Sequence, residues 1–236
     1  MQFISQNELL TALPPVIYER LGPHLQRVRL EAGRILFDVG ATIDYTWFIK
    51  SGIVSLLLDT ENGDSVEVAM AGHDSVIGFQ GIPIINEALF RAQGQIAGEA
   101  LRISARVLQA AIKQEGQIYL PLFGHSHILN KQIAQAAVCH LFHTIDQGLA
   151  RWLLLARDRT RNGAFNITHE AMAQILGVSR SGVSSAAGQL QTKRLIHYAR
   201  GRITLLDPEG LEVLSCECYR ILSRKVMSLP PSDKFG

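Results

Sequence analysis

The stretch from Ile167 to Leu206, ITHEAMAQILGVSRSGVSSAAGQLQTKRLIHYARGRITLL, restricts this chain more than any other. Its periodicity reads as two short helices with a tight turn between them, followed by a small hairpin. Thr168 suits an N-cap, and Glu170 falls in the first turn, where a helix dipole favours negative charge. Ala171, Met172, Ile175 and Leu176 follow at helical spacing, and Gly177 is placed to end the helix in a left-handed conformation. Ser179 caps the second helix. Val183, Ala187 and Leu190 give that helix an inward face, and Arg180, Ser181, Ser184, Ser185 and Gln189 lie on the other side. Leu195-Ile196 leads into a strand, Arg200-Gly201-Arg202 makes a turn, and Ile203 to Leu206 returns. This is the plan of a winged helix-turn-helix, whose second helix enters a DNA major groove. Helix pairs about a glycine also occur as plain packing units. The DNA reading is favoured by the small polar outer face headed by an arginine. No acidic residue lies between Ser179 and Tyr198, and two arginines flank the wing turn.

The 236 residues allow one large or two modest domains. Net charge is only +2, but it is unevenly placed. Residues 1–145 hold 10 Lys/Arg against 13 Asp/Glu, and residues 146–236 hold 13 against 8. A basic C-terminal part on a mildly acidic N-terminal part suits a chain that meets phosphates with one end. No apolar run reaches membrane-spanning length, and no basic segment precedes an apolar one at the N-terminus, so the expected location is cytoplasmic. The three cysteines, Cys139, Cys216 and Cys218, do not make a disulfide framework. Asp207-Pro208 starts a helix with Leu211, Leu214, Cys218, Ile221 and Leu222 on one face. On such a helix Cys216 and Cys218 point to nearly opposite sides. The cysteines are therefore read as structural, with no metal ligands assigned.

Residues 3 to about 21 form a helical lead-in broken by Pro14-Pro15. From Leu25 to about Ser104 short β-favouring runs alternate with glycines, and Asn62-Gly63 is a hairpin signal. Such spacing implies a barrel, sandwich or roll, whose interior can hold a small ligand. Helical pattern returns at about Leu108, and after Pro121 it runs with few interruptions to about Arg159. Leu122, Leu129, Ala136 and His143 fall seven apart, with Ser126, Ile133 and His140 between them. This narrow seam suggests pairing with a second copy of the chain through Leu122, Ser126, Leu129, Ile133, Ala136 and His140. The alternative is packing on its own domain. The fold expected is α+β, with an antiparallel, jelly-roll-like β-roll, a long dimerisation helix and a C-terminal winged helix-turn-helix. The divisions are residues 1–115, 116–145 and 146–236.

That order of parts resembles the Crp/Fnr family of transcription regulators over nearly the whole chain. The roll carries the resemblance through Gly33-x-x-Leu36-Phe37-x-x-Gly40, Trp47-Phe48-Ile49-x-x-Gly52, Gly63, Gly72 and Ile77-Gly78. The C-terminal part carries it through Ile167-Thr168 to Leu195-Ile196, including Leu176-Gly177-Val178-Ser179-Arg180. The resemblance places an effector site at Gly78, Phe79, Gln80 and Arg91. Family members that bind cyclic AMP have a ribose-holding glutamate where this chain has Phe79, and an Arg-Ser pair where it has Arg91-Ala92. Weak or no cyclic AMP binding is expected. An iron–sulfur cluster lacks its thiolates here, since about four are needed. Haem or zinc stays open: His73 lies in a turn and reads as a surface residue, and His140 and His143 share a helix face.

The expected protein is a homodimeric, sequence-specific regulator of double-stranded DNA that binds a palindrome, works with RNA polymerase, has no membrane partner and is not an enzyme. A small effector other than cyclic AMP would gate it. Arg180 would reach a guanine edge, with Ser181, Ser184 and Ser185 in the same groove. Thr168, His169, Ser179, Arg200 and Arg202 would touch phosphates. Gly182 would allow close backbone approach, and Gly188 tight helix packing. The alternatives are a constitutive DNA-binding regulator whose roll is a scaffold, and a cupin-like metal enzyme. The enzyme would need two histidines and a carboxylate in the roll, where His73 stands alone.

Overall fold

The computed structural model describes residues 7–79 and 86–223. Two short helices, α1 (Glu8–Thr11) and α2 (Pro15–Leu21), lead into six strands. These are β1 (Gln26–Leu30), β2 (Ile35–Phe37), β3 (Tyr45–Asp59), β4 (Ser65–Ala71), β5 (Val76–Ile77) and β6 (Arg91–Ser104). Helices α3 (Ala105–Gln114), α4 (Tyr119–Phe142) and α5 (Ile145–Thr160) follow. The C-terminal part contains β7 (Ala164–Asn166), α6 (His169–Leu176), α7 (Arg180–Thr192), β8 (Ile196–Ala199), β9 (Arg202–Leu205), α8 (Pro208–Leu214) and α9 (Cys218–Ser223).

The six strands form one antiparallel sheet ordered β1-β6-β3-β4, with β2 on β6 and β5 on β3. Its two long strands bend where glycines face each other. Gly52 has φ +80°, and a Cβ there would stand 2.4 Å from the Ile96 carbonyl oxygen. A Cβ on Gly98 would meet the Ser51 carbonyl at 2.1 Å. The β3–β6 register shifts at this point, as a bulge requires. The sheet curls around Leu30, Trp47, Ile49, Val54, Leu56, Ala69, Ala71 and Ile77, so the expected roll is present.

Helix α4 lies across the roll and closes it. Leu129 and Ile133 join the roll's core, and Leu122 joins the lead-in cluster around Leu10, Phe48 and Ile103. Polar residues on the same face serve the roll's backbone. Gln132 Oε1 accepts from Met70 N at 3.2 Å, and His125 Nε2 accepts from Val76 N at 3.3 Å. The single long helix expected to about Arg159 is instead two. His143 and Thr144 are extended, and Thr144 and Gln147 make a reciprocal capping box that starts α5 afresh.

Helix α5 is buried on nearly all sides. Leu149, Trp152, Leu153 and Leu155 pack with α6, α7 and α8 residues, and Ile53, Met70 and Ile96 of the roll join the same cluster. Gly72 permits the closest approach, since a Cβ there would meet Arg159 Cβ at 2.5 Å. His73 is buried, not a surface residue. Its Nδ1 lies 2.6 Å from the Arg159 carbonyl and its Nε2 3.2 Å from Glu8. The turn in which it sits is covered by α5 and the lead-in.

Candidate nucleic-acid interface

The helix-turn-helix forms where the local signals place it. Thr168 Oγ1 accepts from Ala171 N at 3.1 Å, and Gly177 ends α6 at φ 63°. Ser179 Oγ accepts from Gly182 N at 3.2 Å and caps α7. Val183, Ala186, Ala187 and Leu190 are buried against α5 and α6. A Cβ on Gly182 would lie 2.9 Å from Ile145 Cδ1, so that glycine seats α7 on the start of α5. Gly188 has nothing within 4 Å of the position a Cβ would take. The expected tight packing there is absent, because this part of α7 faces outward.

The wing is a three-stranded sheet ordered β7-β9-β8. Its turn places Arg200 at φ 51° and Gly201 at φ 76°, both left-handed as a tight hairpin turn requires. Arg200 and Arg202 are exposed on either side of it.

The exposed outer face of α7 sorts into committed and open groups. Ser179 is spent on the cap and shares a 3.0 Å hydrogen bond with Ser181. Ser184 Oγ lies 3.0 Å from the Arg180 carbonyl and 2.8 Å from His169 Nδ1. Arg180, Ser185 and Gln189 are exposed and make no side-chain hydrogen bond or ion pair among the described residues. Arg180 therefore projects from the N-terminal end of α7, where the helix dipole adds to its positive charge.

His169 differs from its expected place among phosphate-contacting groups. Its ring stacks on Tyr198 with centroids 4.5 Å apart and planes 15° apart. Burial and the charge of Arg180 push its pKa down, so the ring is held neutral beside Ser184, whose Oγ lies 2.8 Å from Nδ1. The ring joins recognition helix to wing from within. Tyr198 extends the link, since its N–H donates to Gln191 Oε1 at 2.8 Å and its hydroxyl to the Ile167 carbonyl at 3.3 Å.

The expected effector residues do not converge on an open site. Gly78 has φ +75°, and a Cβ there would meet the Tyr45 carbonyl at 2.6 Å. Phe79 is buried with Leu10, Phe48 and Leu122, its ring 5.9 Å from that of His125. Arg91 is held by Asp38 at 3.0 Å and Asp59 at 2.8 Å, and the Asp38 carboxyl is lowered by that bond. Gln80 lies outside the described residues. The nearby hollow lined by Phe37, Ile43, Leu56 and Phe90 has a volume of about 10 Å³, room for one water.

The seam assigned to dimerisation is turned inward. Leu122, Leu129 and Ala136 are buried against this chain's own roll, and Ile133 packs there too. Ser126 is half-buried, its hydroxyl on the Leu122 carbonyl, and His140 Nε2 lies 3.4 Å from the Glu67 carbonyl. A second stripe faces outward. Leu120, His127, Ala134 and Leu141 fall seven apart, and Phe123, Asn130 and Ala137 lie three residues after the first three of them; all seven are exposed.

The cysteines are placed differently from expectation as well. Helix α8 stops at Leu214, Ser215 is extended, and Cys218 begins a new helix. Cys216 and Cys218 therefore turn toward Cys139 and His143 at the end of α4, and their ligand atoms lie within 4.8 Å of one another. The pattern Cys139-x-x-x-His143 with Cys216-x-Cys218 was the available signal. An unbroken helix after Pro208 hid it.

Roll, long helix and winged helix-turn-helix together define a DNA-binding transcription regulator. Residues 147–214 match the Crp-like helix-turn-helix domain family. The chain is 24% identical over 221 residues to the global nitrogen regulator of Synechococcus elongatus, covering 88% of this chain and 96% of that one. FixK2 from Bradyrhizobium japonicum shares the fold at TM-score 0.69 and 16% identity, over 81% of this chain and 98% of that one. The regulator CLP of Xanthomonas campestris, described as responsive to c-di-GMP, does so at TM-score 0.67 and 16% identity, over 81% and 99%. Residues 147–214 are thus a Crp-like helix-turn-helix domain, and the chain is a Crp-like DNA-binding transcription regulator. No helix among the described residues is long and apolar enough to cross a membrane.

Proposed function

We propose that this regulator acts as a homodimer on a palindromic site, pairing through the outer face of α4. The observation that carries this is the exposed heptad stripe, which is apolar at both ends. Phe123 is 60% exposed and Leu141 76%, and with Leu120 they leave large apolar side chains grouped on one helix face, as interaction surfaces do. Pairing along it sets two copies of α7 about a two-fold axis, as a palindrome requires. In this reading residues 1–115 form the sensing roll, 116–145 the pairing helix and 146–236 the DNA-binding unit, which engages RNA polymerase at target promoters. Analytical ultracentrifugation tests it. A dimer is expected for the native chain and a monomer with weakened operator binding for Phe123→Glu. A monomeric native chain, or a Phe123→Glu variant that stays dimeric, would refute it.

The effector is a small molecule other than cyclic AMP. Phe79 offers no acceptor to a ribose, and the Arg91 guanidinium is already neutralised by two carboxylates. Titration calorimetry with cyclic AMP is expected to give no heat of binding. A second reading, constitutive DNA binding with the roll as scaffold, is favoured by the filled interior among the described residues. DNA affinity that is the same with and without a small-molecule cell extract would select it.

A further inference from the structure

The four residues Cys139, His143, Cys216 and Cys218 make the strongest unassigned constellation in the described residues. All three thiols are less than 5% exposed. They come from two segments far apart in sequence, the last turn of α4 and the break between α8 and α9. Cys139 Sγ and Cys216 Sγ are 3.6 Å apart, and Cys218 Sγ and His143 Nδ1 are 3.5 Å apart. A tetrahedral zinc with Zn–S of about 2.3 Å and Zn–N of about 2.0–2.1 Å puts its ligand atoms roughly 3.5–3.8 Å from one another. These two edges match that geometry, and all four ligand atoms lie within 4.8 Å of one another. An iron–sulfur cluster interposes several irons and sulfides and needs its thiolates further apart. A disulfide would need the sulfurs at about 2.05 Å and would strand the third thiol and the imidazole.

The surroundings are those of a ligand set. His143 turns Nδ1 toward the cluster and Nε2 toward the Glu217 carboxylate at 3.3 Å, the carboxylate–histidine arrangement that orients a metal-bound imidazole. Gln135 Nε2 donates to Cys218 Sγ at 3.0 Å, a bond that suits a thiolate. Three thiolates and one neutral imidazole on a divalent ion carry one net negative charge. The buried Arg151 guanidinium, whose field reaches Cys139, balances it.

We propose that Cys139, His143, Cys216 and Cys218 bind one zinc ion, closing a clamp that holds α8–α9 of the DNA-binding unit on the end of α4. The site is closed, with four protein ligands, so its role is to fix geometry and no water is activated there. Beside it Lys131 Nζ donates to the Ile221 carbonyl at 2.7 Å, a second tie between the same two elements. Loss of the metal frees the C-terminal helices from α4 and leaves the roll intact.

The test uses the untagged full chain purified under reducing, anaerobic conditions. Elemental analysis is expected to find one zinc per chain, whatever the oligomeric state. Chelated protein refilled with cobalt(II) is expected to give the spectrum of a tetrahedral S₃N thiolate site, and Cys218→Ser to lose it. Glu217→Gln removes no ligand and is expected to fold, with metal affinity reduced about 10–100-fold. Stripping the metal is expected to weaken operator binding about tenfold, a usual coupling between linked sites. Native protein without stoichiometric metal and without a cobalt thiolate spectrum overturns the proposal, as does iron with inorganic sulfide. Unchanged DNA affinity on stripping overturns the clamp.

Discussion

Trp152 Nε1 donates a 3.0 Å hydrogen bond to Glu67 Oε1, which ties the first helix of the DNA-binding unit to strand β4 of the roll. Ser55 donates its hydroxyl to the other oxygen of the same carboxyl. Burial raises the Glu67 pKa from 4.5 to about 7, against the opposing pull of Ser55, Arg151, Trp152 and Arg159. The folded state thus holds a proton that the unfolded state releases above 4.5. Glu67 contributes stability that is fully present below that pH and lost as pH rises through about 7. The slope in this window is at most about 1.4 kcal/mol per pH unit. Glu67→Gln keeps an acceptor for Trp152 and, with the Ser55 hydroxyl turned to accept from its amide, a partner for Ser55, without a charge. Denaturant midpoints of both proteins from pH 4.5 to 8 should show the native advantage over the variant shrinking to about pH 7 and then levelling. A pH-independent difference would reject the assignment. The His125 imidazole, which burial pushes down to about 4, tilts both curves alike and cancels in the difference.

Two glycines should respond oppositely to alanine. Gly72 faces Arg159 at a distance no Cβ tolerates, so Gly72→Ala must part the roll from α5 and cost about 1–3 kcal/mol. Gly188 is exposed in mid-helix with open space around it, so Gly188→Ala should stabilise by roughly 0.5–1 kcal/mol. Thermal melts of the two variants settle both signs.

Arg180 and Ser184 should separate in a binding-site selection. Arg180→Ala removes an uncommitted donor array at the head of α7 and should cost about 1–3 kcal/mol while relaxing one base position per half-site. Ser184 is already engaged with Arg180 and His169, so Ser184→Ala should leave the selected sequence unchanged. A relaxed position in the Ser184→Ala variant would mean that its hydroxyl turns to the DNA.

What was legible in the chain was local. Thr168, Gly177 and Ser179 act within four residues of themselves, and their caps stand where their chemistry places them. The α4 face was not legible because two stripes share that helix. Leu122, Leu129 and Ala136 and the rival Leu120, Phe123 and Leu141 both fit a heptad, and period alone does not say which meets the roll. Gln132 and His125 decide it, since they answer roll backbone groups that only the fold brings near. The cysteine cluster needed a helix break at Ser215 that neither glycine nor proline marks, plus contacts across 77 residues.

His169 gives the sharpest test of how the interface is built. If it contacted phosphate, His169→Ala would flatten the salt dependence of DNA binding, as Arg202→Ala should by about one unit of slope. The stack on Tyr198 and the bond to Ser184 argue for an internal strut instead. Removing it should cost about 0.5–1.5 kcal/mol of fold stability, the worth of an aromatic pair. It should also weaken DNA binding without changing the slope, because the wing and α7 lose their common support and no counterion site is lost. Affinities of both variants measured at several salt concentrations, with their melting curves, distinguish the two roles. Parallel salt lines for native and His169→Ala, with a lowered Tm for the variant, are the expected result; a line as flat as that of Arg202→Ala would make His169 a phosphate contact.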